Sequence, residues 1–208
     1  LFLAGWGMWR FTGELKFSLL GRGISALAFG MTAYLVARLG TYPIVQAAAW
    51  LPWMLWVTVR LLESGRPRSG GLLALFTALL LLAGHAQTAW YSLLLVGLFA
   101  LWWTVFGSSA ADWKRRWLRL ALAAGCMALG AGIAALQLVA TAELLGQSQR
   151  SGGVDFNFAM NFSYAPARVL NLFAANAFGT PANGTYITGG AFFEDAIYIG
   201  IIPLVGAI

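Results

Sequence analysis

Ten of the chain's 13 Lys and Arg residues fall in three short segments set between long, almost uncharged apolar stretches. Arg10, Lys16 and Arg22 form the first, Arg60, Arg66 and Arg68 the second, and Lys114, Arg115, Arg116 and Arg119 the third. Short basic loops resist translocation across a bilayer, so all three are expected on the cytoplasmic side. Each apolar stretch between two of them must then cross the membrane an even number of times.

Composition points to the same class. With 60% apolar residues, 10% charged residues and a mean hydropathy of +0.76, a chain of 208 residues lacks the polar surface of a water-soluble globule. The formal charge of +6 is spread over loops that would face anionic headgroups and is not gathered into one groove. Membrane lipids are therefore the expected partners, and nucleic acid is not. Cys126 is the single cysteine and lies in an apolar run, where it counts as a small hydrophobe. The expected fold is an all-α polytopic membrane protein, a single transmembrane domain fragment over 1–208. Leu1 is not preceded by Met or a basic segment and the chain stops inside an apolar run, so both ends are expected to be internal to a longer protein.

The apolar stretches place spans at about 1–9, 23–39, 43–61, 71–84, 88–106, 118–142 and 196–208. The stretch 70–106 is decisive, because as one helix it would reach roughly 55 Å against about 30 Å of hydrocarbon. It must leave and return, and its only polar break is Gly84-His85-Ala86-Gln87-Thr88. That break is expected near the outer face. All five asparagines fall in the segment 144–195, which reads as a long extracytoplasmic loop rich in aromatics. Within it, Pro166 is expected to start a short helix with Val169, Leu170 and Phe173 on one face, and Pro181-Ala182-Asn183-Gly184 reads as a turn.

Topology gathers the candidate chemistry on the outer side: His85 and Gln87 at the break, Glu143, Arg150, Asp155, Arg168, Tyr186, and Glu194 with Asp195. His85 can act, or can only satisfy a backbone group freed by the break. Asp195, directly before an apolar span, is placed to cap a helix, which leaves Glu194 as the spare acid. Glu143 is expected to pair with Arg150 or Arg168. The tryptophans Trp50, Trp53 and Trp56, and those around the third basic segment, are expected to serve as interface belt and packing residues. Asn161-Phe162-Ser163 and Asn183-Gly184-Thr185 match the N-glycosylation acceptor pattern, a weak signal.

Four short runs carry a family resemblance: Gly84-His85-Ala86-Gln87-Thr88-Ala89-Trp90-Tyr91; Leu136 to Leu144 with Ser148-Gln149-Arg150; Phe178-Gly179-Thr180-Pro181 with Gly184-Thr185-Tyr186; and Phe193-Glu194-Asp195-Ala196-Ile197-Tyr198-Ile199-Gly200 with Pro203-Leu204. In order and spacing they resemble the YfhO-type bacterial membrane proteins from about residue 45 onward, with Ala86 where many relatives carry Pro and Val139-Ala140 in place of Leu-Pro. The resemblance implies a GT-C-like helical bundle in the cell membrane. Its implied activity is sugar transfer from a polyprenyl-phosphate donor to a cell-envelope glycan or polymer acceptor at the outer face. The outer-loop acid expected in GT-C enzymes would lie before Leu1.

The residues allow that chemistry. A carboxylate must deprotonate an acceptor hydroxyl, and donors must stabilise the departing lipid phosphate. Glu194 and His85 are the candidate catalytic residues, while Gln87, Arg150, Asp155, Arg168 and Tyr186 would bind substrate. No motif names a cofactor, and Glu194 with Asp195 could hold a divalent cation. Two other classes compete: a transporter or lipid flippase, which wants a polar helix break near mid-membrane, and a non-catalytic membrane scaffold.

Overall fold

The computed structural model describes residues 1–108, 112–148, 153, 155, 156, 160, 166–187 and 192–206. Among these the regular structure is entirely helical. Helices α1 (Phe2–Glu14), α2 (Leu19–Gly30), the short α3 (Ala33–Ala37) and α4 (Tyr42–Ser64) are followed by α5 (Pro67–Leu82) and α6 (Ala86–Trp102). Helix α6 ends in a π turn, Trp103–Gly107; α7 (Trp113–Ile133), α8 (Ala135–Gly146) and a one-turn α9 (Ile201–Val205) complete the set. Leu19–Ala37, Tyr42–Ser64, Ala86–Gly107 and Trp113–Ile133 are each long and apolar enough to cross a membrane. The chain is a polytopic helical membrane bundle.

Helix α4 is its hub. At 23 residues it is about 35 Å long, and it packs against α1, α5, α6 and α7. Met54, Val57 and Leu61 on α4 are fully buried against Leu73 and Leu80 of α5 and Val96 of α6. Lipid tails are as apolar as these side chains, so close fit, and not exclusion of water, must hold the helices together. Glycines supply that fit. A Cβ on Gly30 of α2 would lie 3.1 Å from the Gly5 Cα of α1, and one on Gly130 of α7 would lie 2.6 Å from the Thr77 Cβ of α5. Trp53 and Trp56 belong to this packing and not to an interface belt: both are buried, and their indole N–H groups donate to the Leu3 carbonyl (3.0 Å) and to Glu14 (3.1 Å).

The three basic segments meet at one end of the bundle. Arg10 lies inside α1 with its guanidinium 4.4 Å above the Trp56 ring, and Arg60 is 3.8 Å from the Glu14 carboxylate. From α7, Arg119 donates to the Leu62 carbonyl (2.9 Å) at the C-terminal end of α4, where a cation offsets the helix dipole. The Trp103 indole donates to Glu63 at 2.7 Å, tying the end of α6 to the same place. Helix α4 therefore starts, α5 finishes and α6 starts at the opposite, far end.

Between Leu82 and Ala86 the chain reverses. Gly84 takes φ +80°, a left-handed conformation that costs a glycine nothing, and His85 caps α6. After Pro166 the chain forms a 3-10 turn, Pro166–Leu172, in place of an amphipathic α-helix. Its three-residue period puts Arg168 and Asn171 on one inward face. Asn171 is buried, while Val169, Leu170 and Phe173 stay exposed. Further on, the segment 196–200 runs beside α3, and the free Ala33 N–H donates to the Tyr198 carbonyl at 3.0 Å.

Candidate functional site

At the far end, the order of the loop comes from one buried carboxylate. Asp195, 2% exposed, accepts Arg168 Nη1 on Oδ1 at 3.0 Å and the Tyr186 hydroxyl on Oδ2 at 2.8 Å. Tyr186 in turn meets Phe192 edge-on, with ring centroids 5.5 Å apart. Three loop segments distant in sequence are thereby fastened to a single acid. The helix that follows starts only at Ile201, with Gly200 at its N-cap position, so Asp195 is an ion-pair anchor and not a helix cap. The expected pairing of Glu143 with Arg168 is likewise replaced, since Arg168 is drawn to the more buried acid. Glu143 remains exposed on α8, and Arg150 and Asn161-Phe162-Ser163 lie outside the described residues.

Glu194, next in the chain, ends the 3-10 turn Phe192–Glu194 and is half-buried. Among the described residues its carboxylate takes part in no hydrogen bond or ion pair. Beside it stands a residue that sequence reasoning passed over. Arg38, in the turn between α3 and α4, donates from Nη1 to the Phe193 carbonyl at 2.6 Å. Its guanidinium lies 4.4 Å over the Tyr34 ring and 5.3 Å from the Phe193 ring. Its Nε–H is buried and has no hydrogen-bond partner among the described residues. A signal existed, for Arg38, Arg150 and Arg168 are the three basic residues left over from the three clusters. A basic residue placed against the charge asymmetry of the loops needs a reason of its own.

His85 is given first to structure. Its Nδ1 accepts the Thr88 N–H (3.2 Å) and lies 2.8 Å from the Thr88 hydroxyl, which caps α6 and places the ring proton on Nε2. Gln87 is exposed and donates to the Tyr91 hydroxyl at 3.1 Å. Asp155 is exposed in the loop. No direct contact joins His85 to Glu194 among the described residues. No group of three or more His, Cys, Asp or Glu side chains suited to a metal occurs among the described residues. A cation shared by Glu194 and Asp195 would have to displace Arg168 or Tyr186 from the aspartate.

Two hollows are lined by Tyr34, the ring beneath Arg38. One is an apolar groove of about 810 Å³ along α2, running from Phe17 past Ile24 and Ala28 to Thr32 and Tyr34, with Ile199 and Pro203 on its other wall. The other is a cavity of about 200 Å³ between α3, α4 and α6, which shares Phe29, Thr32 and Tyr34 with the groove. Tyr34, lining both, is the ring on which Arg38 rests.

Residues 3–208 match the family model described as bacterial membrane protein YfhO. The chain belongs to the YfhO family. No curated protein and no solved structure matches it. The family match takes in α1 to α3 as well as the later segments, and so includes Tyr34 and Arg38 together with Glu194 and Asp195.

Proposed function

We propose that this chain is part of a GT-C-type glycosyltransferase of the cell membrane. It moves a sugar from a polyprenyl-phosphate donor to a cell-envelope acceptor at the extracytoplasmic face, with the basic end in the cytoplasm. The observation that carries this reading is Glu194, whose carboxylate makes no hydrogen bond or ion pair among the described residues and which follows Phe193, the residue whose carbonyl Arg38 holds; the Tyr34 ring beneath Arg38 lines an apolar groove. The groove follows α2 for roughly 20 Å, a length suited to a prenyl chain entering from the bilayer. Arg38 is a half-buried cation, suited to a lipid phosphate. Glu194 supplies the base.

In the reaction, Glu194 accepts the proton of the acceptor hydroxyl as its oxygen attacks the anomeric carbon. The bond from that carbon to the phosphate oxygen breaks, and polyprenyl phosphate departs with its charge held by Arg38. Inversion at the anomeric carbon follows from a single displacement. Family membership supports the reading, and so does the position of the helix break. Helix α5 carries the chain about 24 Å from the basic end before the break, well past a mid-plane near 15 Å, which disfavours a transport pathway built on it.

The test is Glu194→Gln in the full-length protein, which keeps the shape and removes the charge. Transfer of sugar from a lipid donor should be abolished while expression and thermal stability stay near normal. Wild-type transfer rates in that variant would refute the assignment.

A further inference from the structure

We propose that the cleft between α1 and α2 binds an anionic phospholipid of the leaflet at the basic end, with one acyl chain in the cleft and the phosphate on Arg22. The cleft is separate from the two hollows lined by Tyr34 and opens on the opposite face of α2. Trp6 and Trp9 of α1 and Leu27 of α2 form its walls. Its floor is Gly5, Ala26 and Gly30, where the two helices touch: a Cβ on Gly5 would lie 3.0 Å from the Ala26 carbonyl oxygen. The cleft holds about 510 Å³. Leu1 to Trp9 cover about 12 Å of helix, so its section is on the order of 40 Å², whereas a further helix about 10 Å across needs roughly 80 Å². A chain of methylenes fits where another helix does not.

Charge names the rest of the ligand. Arg22 stands one turn before Ala26 and two before Gly30, on the same row of α2. Its guanidinium lies 4.3 Å over the Trp9 ring and its Nε donates to the Trp9 carbonyl at 3.3 Å, while Gly13 leaves room for it against α1. The cation is thus fixed at the basic end of the cleft, half-buried, and its Nη groups have no partner among the described residues. Lys16, exposed in the turn between the helices, is a second cation without an ion pair among the described residues. Glu14, the only acid from Leu1 to Arg22, already accepts the Trp56 indole and faces Arg60. No carboxylate is left to meet the ammonium of a zwitterionic headgroup, so the site selects a lipid of net negative charge. Length agrees as well: from Gly13, beside the guanidinium, to Leu1 is about 18 Å, close to the roughly 15 Å of hydrocarbon in one leaflet.

The experiment uses the full-length protein in phosphatidylcholine nanodiscs containing equal small fractions of either phosphatidylglycerol or phosphatidylcholine with a photoactivatable diazirine on one acyl chain. Cross-linked peptides are mapped by mass spectrometry, and thermal stability is followed in parallel. Phosphatidylglycerol should label 1–9 and 26–31 at least about fivefold more than phosphatidylcholine, the worth of one basic side chain at an anionic lipid surface. Arg22→Gln should remove most of that preference. Ala26→Leu, which fills the cleft and keeps its charges, should remove the labelling there and leave that around Leu98, exposed on α6, unchanged. Equal labelling by the two lipids in wild type, or an undiminished preference in Arg22→Gln at normal stability, would overturn the site. So would the absence of lipid from 1–9 and 26–31, the result expected if a second copy of the chain or another helix covers the cleft. If Arg22→Gln loses stability, the wild-type preference and Ala26→Leu still decide.

Discussion

Neutralising Asp195 tests what holds the far-end loop together. Its carboxylate is 2% exposed and bonds Arg168, itself 14% exposed, at 3.0 Å. Asp195→Asn keeps the volume but leaves a mostly buried guanidinium without its anion. Breaking one side of such a pair costs about 3–5 kcal/mol, and the residual exposure of Arg168 favours the lower end, about 3 kcal/mol. At about 1.4 kcal/mol per factor of ten, the population of the opened loop should rise roughly 100- to 200-fold. A lost helix cap would cost about 1 kcal/mol, roughly a fivefold change, so the two roles are well separated. Limited proteolysis of the full-length protein at low protease, with cleavage mapped within 166–187, reads that population directly. Asp195→Asn and Arg168→Met should both be nicked on the order of 100 times faster. The double variant Arg168→Met/Asp195→Leu has no charge to bury and should recover most of the protection. Nicking of Asp195→Asn within fivefold of wild type would refute the anchoring role.

Arg38→Gln should raise KM for the lipid-phosphate donor about tenfold or more through loss of one charge-assisted contact, read in steady-state transfer assays. His85→Asn can still cap α6 and should keep near-normal stability; if transfer also persists, His85 is a cap alone, and a selective loss of kcat would assign work to its Nε2. Cysteines at Ser64 and Asn183, introduced after Cys126→Ala, should react with an impermeant thiol reagent from opposite sides of the membrane. Ser64 is chosen because it is exposed at the basic end, whereas Ser69, in the same segment, is buried. Same-side labelling would overturn the assigned orientation.

Charge placement and hydropathy alone determined that this is a helical membrane bundle, that its basic segments share one end, and that the chain doubles back near His85. These follow from one-dimensional facts: a bilayer has a fixed thickness, a helix a fixed rise, and a loop charge a cost of translocation. Glu194 was singled out as the spare acid by giving Asp195 to a helix cap, and the structure gives Asp195 an ion pair with Arg168 instead. What Asp195 does was not legible. Its partners Arg168 and Tyr186 lie 27 and 9 residues away, and whether an acid caps a helix or anchors a loop depends on where the next helix begins. That start is at Ile201, set by the extended segment that runs beside α3. Arg38 was hidden in the same way: nothing near it in the chain hints at Phe193, which reaches it across 155 residues. The cavity is still further from the sequence, because its lining comes from the end of α2, from α3, and from α4 and α6, which are far apart in the chain.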